Sequence, residues 1–184
     1  MIGDEFPEVL AAARAGGEWA WAELYGETSP IVLSYLRARG VSEPDDVLGE
    51  VFLGAVAGID AFEGDEKAFR TWLLTLAHRR MVDHFRAHER RPVEPASHEV
   101  LVAAGIRGDV EAEALNRAEA ARAVEAIRSL APAQQEVLLL RLVADLTVEQ
   151  VAEVLGKRVT AVKALQRRGL AALARKTSRE GVSR

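Results

Sequence analysis

The chain has 184 residues, 49% of them hydrophobic, no cysteine and a formal net charge of −4. That length admits one domain or two small ones with packed cores, and the missing cysteine excludes a disulfide framework and a thiolate metal site. The acidic start MIGDEFPEVL has no basic n-region, and no window approaches a membrane-spanning apolar run, so the sequence predicts a soluble cytoplasmic protein without membrane insertion.

Aromatics are scarce, Ala and Leu are abundant, and no period-2 run of β-branched residues occurs, which predicts an all-α chain. A first short helix is expected from Phe6 to Ala15, closed by Gly16 and Gly17. A longer one follows from Glu18 to Arg39, with Trp21, Leu24, Tyr25, Val32, Tyr35 and Leu36 inward and a kink at Pro30. In SEPDDVLGEVFLGAVAGI, residues 42–59, Ser42 is the expected cap and Pro44 the first helical residue, with Asp45 and Asp46 at the positive end of the dipole. Val47, Val51, Phe52 and Ala55 face inward, leaving an acidic outer face that is either merely solvated or a docking surface for a basic protein.

A polar turn around Gly64 leads to a helix from Ala68 to Arg90, whose apolar set is Phe69, Trp72, Leu73, Leu76, Val82 and Phe85. Its other face carries Arg70, His78, Arg79, Arg80, His84 and Arg86, a row suited to backbone phosphates. His84 and His88 have a metal-compatible spacing, but no third ligand is apparent and cations crowd them, so neither metal nor cofactor is expected. Phe62, beside the turn, is equally a base-stacking candidate and a core anchor.

Pro92 and Pro95 break the helix, and 92–110 reads as a flexible linker. Helices resume over 110–130 and from Pro132 to Asp145. Thr147 and Gln150 have capping-box spacing, Gly156 stops the short helix between them, and Thr160 is the expected cap of the last helix. Val162, Leu165, Gly169, Leu170 and Leu173 form that helix's expected inward stripe. A short helix, a turn and a basic second helix are the parts of a helix-turn-helix, whose second helix enters the major groove. An ordinary helical hairpin with a solvated basic face is the simpler alternative.

Charge segregation favours nucleic acid. Residues 1–66 carry net −11, 67–92 net +5, 93–156 net −6 and 157–184 net +8. Two basic blocks on an acidic chain imply two contacts with a polyanion.

The order of these features resembles an extracytoplasmic-function sigma factor, the short form of the sigma-70 family. DDVLGEVFLGAVAGIDAFEGDEKAFRTWLLTLAHRRMVDHFRAHERR, residues 45–91, is similar to the family's acidic helix, loop and F-R-x-W-L basic helix. LAPAQQEVLLLRLVADLTVEQVAEVLGKRVTAVKALQRRGLAAL, residues 130–173, is similar to its C-terminal helix-turn-helix. The chain departs from the pattern at Gly49, where Gln is usual, at Arg79, where Asn is usual, and at Ala164-Leu165-Gln166, where S-R-L is usual.

The resemblance implies two small helical domains, 1–91 and 111–178, and no catalytic site. It implies that the chain binds core RNA polymerase, the β′ clamp and β flap, and directs promoter-specific initiation. Asp45, Asp46, Glu50 and Leu53 match the clamp-docking part. Phe62, Gly64, Lys67, Arg70, His78, Arg79, Arg80, His84 and Arg86 match the part that opens and reads the −10 element. Lys157, Arg158, Thr160, Lys163, Gln166 and Arg167 are the candidates for reading the −35 element as duplex, with Arg suited to guanine and Gln to adenine. An anti-sigma partner is a further implication. Three other classes compete: a conventional helix-turn-helix regulator, a helical hydrolase using His78, Asp83, His84 and His88, and a structural adaptor. Nineteen linker residues average only about 25 Å as flexible coil, less than one duplex turn of about 34–36 Å, so polymerase is expected to order 92–110.

Overall fold

The computed structural model describes residues 2–89 and 121–182, with side chains for 2–87 and 121–176. The expected linker 92–110, Arg90, Arg91 and the His88 side chain lie outside these. Every regular element among the described residues is helical. After a 3-10 turn at Gly3–Glu5 come α1 (Phe6–Arg14), α2 (Glu18–Ala38), α3 (Pro44–Gly58), a second 3-10 turn at Ile59–Ala61, and α4 (Glu66–Glu89). The second group is α5, helical over 121–128, then α6 (Pro132–Leu142), α7 (Val148–Leu155) and α8 (Val159–Val182).

α1 packs on α2, and α2, α3 and α4 pack on one another around Leu24, Val32, Tyr35, Leu48, Phe69 and Leu73. α4 departs from the one-faced helix its sequence suggests: Leu74, Ala77 and Met81 are as fully buried as Phe69 and Leu73. The reason is tertiary, because α4 packs against three helices, α2, α3 and α7. In the second group α6 packs on α8 and α7 on both, around Val137, Leu138, Val151 and Val162.

Three helix starts differ from expectation. Ser42 does not cap α3; the N-cap position is Glu43, with no side-chain cap, and the Ser42 hydroxyl instead lies 3.2 Å from His84 Nε2. Pro44, with its fixed φ and no amide to satisfy, is the first helical residue as expected. α4 begins at Glu66, two residues before the expected Ala68, because the Asp65 carboxylate accepts the Ala68 amide at 2.8 Å. α8 begins at Val159, with the Arg158 carbonyl accepting the Val162 amide at 3.1 Å, which places Thr160 inside the first turn rather than at its cap.

In α8 the inward stripe is Val162, Leu165, Gly169, Ala172 and Leu173, while Leu170 is exposed. Gly169 is there because α6 comes close: a Cβ at that position would stand 2.9 Å from Leu138 Cδ1. On α2, Trp21 is half-buried and donates to the Ala13 carbonyl at 3.1 Å. Tyr25 is turned further out than expected, its ring packed against Phe52 at 4.7 Å. The helix continues through Pro30 to Ala38.

Candidate nucleic-acid interface

The turn before α4 is shaped by what surrounds it. Gly64 has φ +146, and a Cβ there would sit 2.6 Å from Ala68 Cβ, so a side chain is excluded by conformation and by space. Arg14 of α1 reaches across and donates to the carbonyls of Ile59 and Phe62. Glu66 accepts the backbone amides of Ile2 at 2.8 Å and Gly3 at 2.9 Å. Neither residue carries a motif, and only the fold reveals that they hold the turn. Phe62 is buried, its ring 5.1 Å from Trp72 and 5.4 Å from Phe69. Of its two readings the core anchor is the one realised here, and its ring offers no free face. Gly64 and Lys67 are exposed beside an open cleft of about 610 Å³ lined by Phe6, Pro7, Leu10 and Arg14.

The cationic row of α4 divides in two. Arg79, Arg80 and Arg86 are exposed, Arg86 in a loose 3.6 Å pair with Asp83 that is worth little in water. Arg70 and His78 are half-buried. Arg70 donates to the Ala144 carbonyl at 3.0 Å, and His78 Nδ1 lies 3.0 Å from the Tyr35 hydroxyl. Burial holds the His78 ring below its usual range. Glu136 opposes this, and Arg39, Lys157 and Arg79 add to it. Burial likewise pushes the Tyr35 phenol far above its ordinary value. The three described members of the supposed hydrolytic cluster are thus turned to separate partners: His78 to Tyr35, Asp83 to Arg86, His84 to Ser42.

On α3, Asp46, Gly49, Glu50, Leu53 and Val56 form one exposed stripe at helical spacing, with Leu53 72% exposed. Asp45 lies beside it, 3.5 Å from Arg37.

The helix-turn-helix forms as its spacing requires. Thr147 Oγ1 accepts the Gln150 amide at 3.2 Å and Gln150 Oε1 accepts the Thr147 amide at 2.8 Å, closing the capping box. Gly156 then takes the left-handed conformation, φ +60, and turns the chain into α8. Lys157, Arg158, Thr160, Lys163 and Arg167 are exposed along the turn and the leading face of α8, while Gln166 is half-buried. Leu165 packs on the core, as the expected inward stripe has it.

Side chains far apart in sequence join the two groups of helices. Arg39 donates to Gln135 Oε1 at 2.9 Å and pairs with Glu136 at 3.4 Å. Arg128 donates to the carbonyls of Ala38 at 2.9 Å and Arg37 at 2.5 Å, closing the C-terminal end of α2. Gln150 Nε2 donates to Thr71 Oγ1 at 2.8 Å.

Two acidic-to-basic helical modules in this order, the second a helix-turn-helix, define a sigma-70-type architecture. The family models agree: sigma-70 region 2 matches residues 24–91 and sigma-70 region 4 matches residues 120–173. The ECF RNA polymerase sigma factor BldN of Streptomyces coelicolor is 34% identical over 170 residues, which is 91% of this chain and 64% of BldN. The ECF RNA polymerase sigma factor SigD of Mycobacterium tuberculosis is 31% identical over 178 residues, 92% of this chain and 82% of SigD. Among solved structures, CnrH in complex with the cytosolic domain of CnrY superposes with a TM-score of 0.68 at 23% identity, covering 95% of this chain and 98% of that one. The chain belongs to the extracytoplasmic-function sigma factors, alternative sigma factors that direct promoter-specific transcription. None of its described helices is long and apolar enough to cross a membrane.

Proposed function

We propose that the chain acts as an initiation factor without catalysis of its own, docking on core RNA polymerase in the cytoplasm and reading a promoter at two places. The observation that carries this is the exposure of three separate surfaces on one chain: the α3 stripe, the cations of α4, and the leading face of α8.

The stripe suits a basic, partly apolar partner surface such as the polymerase clamp. Asp46 and Glu50 supply charge and Leu53 supplies area. Lys67, Arg79, Arg80 and Arg86 track the phosphates of a melted −10 strand, and the cleft beside Gly64 is the place for a displaced base. Unstacking a base costs a few kcal/mol, so that cleft must return it through contacts to the base. With Phe62 in the core, the stacking surface there comes from elsewhere. Lys157, Arg158, Thr160, Lys163, Gln166 and Arg167 read or hold the −35 duplex, and those that meet only phosphate position the helix without specifying sequence. A protein inhibitor that covers these faces, an anti-sigma factor, is the expected regulator.

The test is reconstitution with core polymerase and run-off transcription on a library of genomic fragments. Discrete starts that core alone does not make are expected. Duplex binding without start-site selection would sink the reading in favour of a conventional helix-turn-helix regulator.

A further inference from the structure

We infer that α1 belongs to the base-reading unit and that Arg14 is its positioning residue, a role that rests on the cleft beside Gly64 being the place for a displaced base. Arg14 sets how far the Gly64 turn stands from α1, and through that distance the choice of base.

The sigma-70 region 2 match begins at residue 24, so α1, Phe6–Arg14, lies ahead of it. α1 is nonetheless built into the fold. Phe6, Val9, Leu10 and Ala13 are buried, and the Phe6 ring stands 5.8 Å from that of Phe69. The turn has little of its own to hold it, since between Ile59 and Glu66 only Phe62 is buried. Its further restraints come from α1 and the residues leading into it. At the entry, Arg14 Nε donates to the Ile59 carbonyl at 3.3 Å, and its terminal nitrogen donates to the Phe62 carbonyl. At the exit, Glu66 accepts the amides of Ile2 and Gly3. α1 is therefore a splint, tied to the turn at both ends.

The splint also shapes the cleft. Gly64 and Lys67 line it on the side of the turn, and Pro7 and Leu10 line it on the side of α1. Its width follows from the bonds that join the two. A loose turn would have to be ordered as each base entered, and loose walls fit every base more alike, whereas preorganised walls discriminate. Arginine suits this task better than lysine. Its planar fork aims several donors in fixed directions, so one side chain reaches two carbonyls, while an ammonium is a point charge on a flexible stem. The cation also lies at the C-terminal end of the second 3-10 turn, where carbonyls are left over.

Arg14→Lys keeps the charge and loses the fork; Arg14→Ala loses both. A promoter recovered by run-off transcription with wild type and core polymerase is changed one position at a time to the other three bases. Wild type should favour one base at a −10 position by at least about fivefold, and both variants should reduce that preference to about twofold or less with the −35 preferences unchanged. Amide exchange reads the turn without polymerase. The Phe62 amide, bonded to the Ile59 carbonyl at 3.2 Å, should exchange at least about fivefold faster in Arg14→Lys than in wild type, with the interior of α2 unaltered. A −10 preference kept by Arg14→Ala, or lost equally at −10 and −35, would overturn the role. So would an unchanged Phe62 amide. A preference lost in Arg14→Ala but kept in Arg14→Lys overturns it too, because it marks a charge contact with DNA. A wild-type chain that selects no start site ends the sigma reading and the base-choosing role with it, whereas the other outcomes end only the role of Arg14.

Discussion

Gln150 serves two masters at once: its side-chain oxygen accepts the Thr147 amide at 2.8 Å, and its side-chain nitrogen donates to the Thr71 hydroxyl at 2.8 Å. The first bond starts α7, and the second ties α7 to α4. The two are separable by chemistry. Gln150→Glu keeps an acceptor for the cap but has no proton for Thr71, whose own hydroxyl already donates to the Lys67 carbonyl at 2.9 Å. Gln150→Ala loses both. We expect the alanine variant to lose about 1 kcal/mol of C-terminal domain stability from the broken cap. The glutamate variant should keep that stability and lose only the link between domains. Thermal melting reports the cap, and fluorescence transfer between dyes on α4 and α8 reports the link. Equal melting losses in both variants would refute the separation.

Leu53 is the largest apolar group on the α3 stripe and is 72% exposed. Among the described residues the helix is already held by Val47, Leu48, Val51 and Ala55 on its inner side. Burying a leucine against a partner returns about 1.5–3 kcal/mol, so Leu53→Asp should weaken core polymerase binding by about tenfold or more. The melting temperature should not move. Asp45→Ala should do much less, because that carboxylate is near Arg37 and mostly solvated. A titration of labelled chain with core polymerase distinguishes the two.

Local signals carried most of the elements. Thr147 with Gln150, Gly156 and Pro44 act through their own backbone within a turn, so their spacing predicts their geometry. Asp65 acts in the same local way, but three other carboxylates, Asp60, Glu63 and Glu66, crowd the same turn and the sequence does not single out the one that caps. The failures at α4 and at the domain seam are of another kind. Leu74, Ala77 and Met81 are buried on a helix packed against α2, α3 and α7, the last more than sixty residues downstream. Arg39 and Arg128 find partners about ninety residues away, at Gln135 and at Ala38. No periodicity along the chain encodes such pairs. For the candidate site this means that residue types and helical faces were readable, while the division of the α4 row into open and covered halves was not.

Two helix-interior glycines should respond oppositely to added side chains. Gly26 in α2 faces open space, with nothing within 4 Å of a Cβ placed there. Gly26→Ala removes backbone freedom from the unfolded chain at no steric cost and should stabilise by about 0.5–1 kcal/mol. Gly169 in α8 is packed on Leu138, which is fully buried and has little room to retreat. Gly169→Val adds overpacking that costs about 1–3 kcal/mol, outweighing any gain in helix propensity. Denaturant unfolding of the two variants checks both signs. A stabilised Gly169→Val would mean that α6 and α8 pack less closely than described.

His78 should make stability depend on pH in a particular window. Its imidazole is held below the ordinary value of 6.5 chiefly by burial, with Arg39, Lys157 and Arg79 adding to the effect and Glu136 opposing it. Tyr35, 3.0 Å away, keeps its proton and does not add charge. The unfolded chain therefore takes up a proton near pH 6.5, before the folded chain does. The stability from a neutral His78 is complete above that pH. It is lost as pH falls toward the folded value, at a slope of at most about 1.4 kcal/mol per pH unit. His78→Gln cannot take up that proton. Carboxylates titrate in the same acid range in both proteins, so the quantity to measure is the difference in unfolding free energy between wild type and variant from pH 8 to pH 5. That difference should be flat above about pH 7 and shift against the wild type below about 6.5. A difference that is constant throughout, or that shifts in favour of the wild type on acidification, would show that the ring is not held neutral by its surroundings.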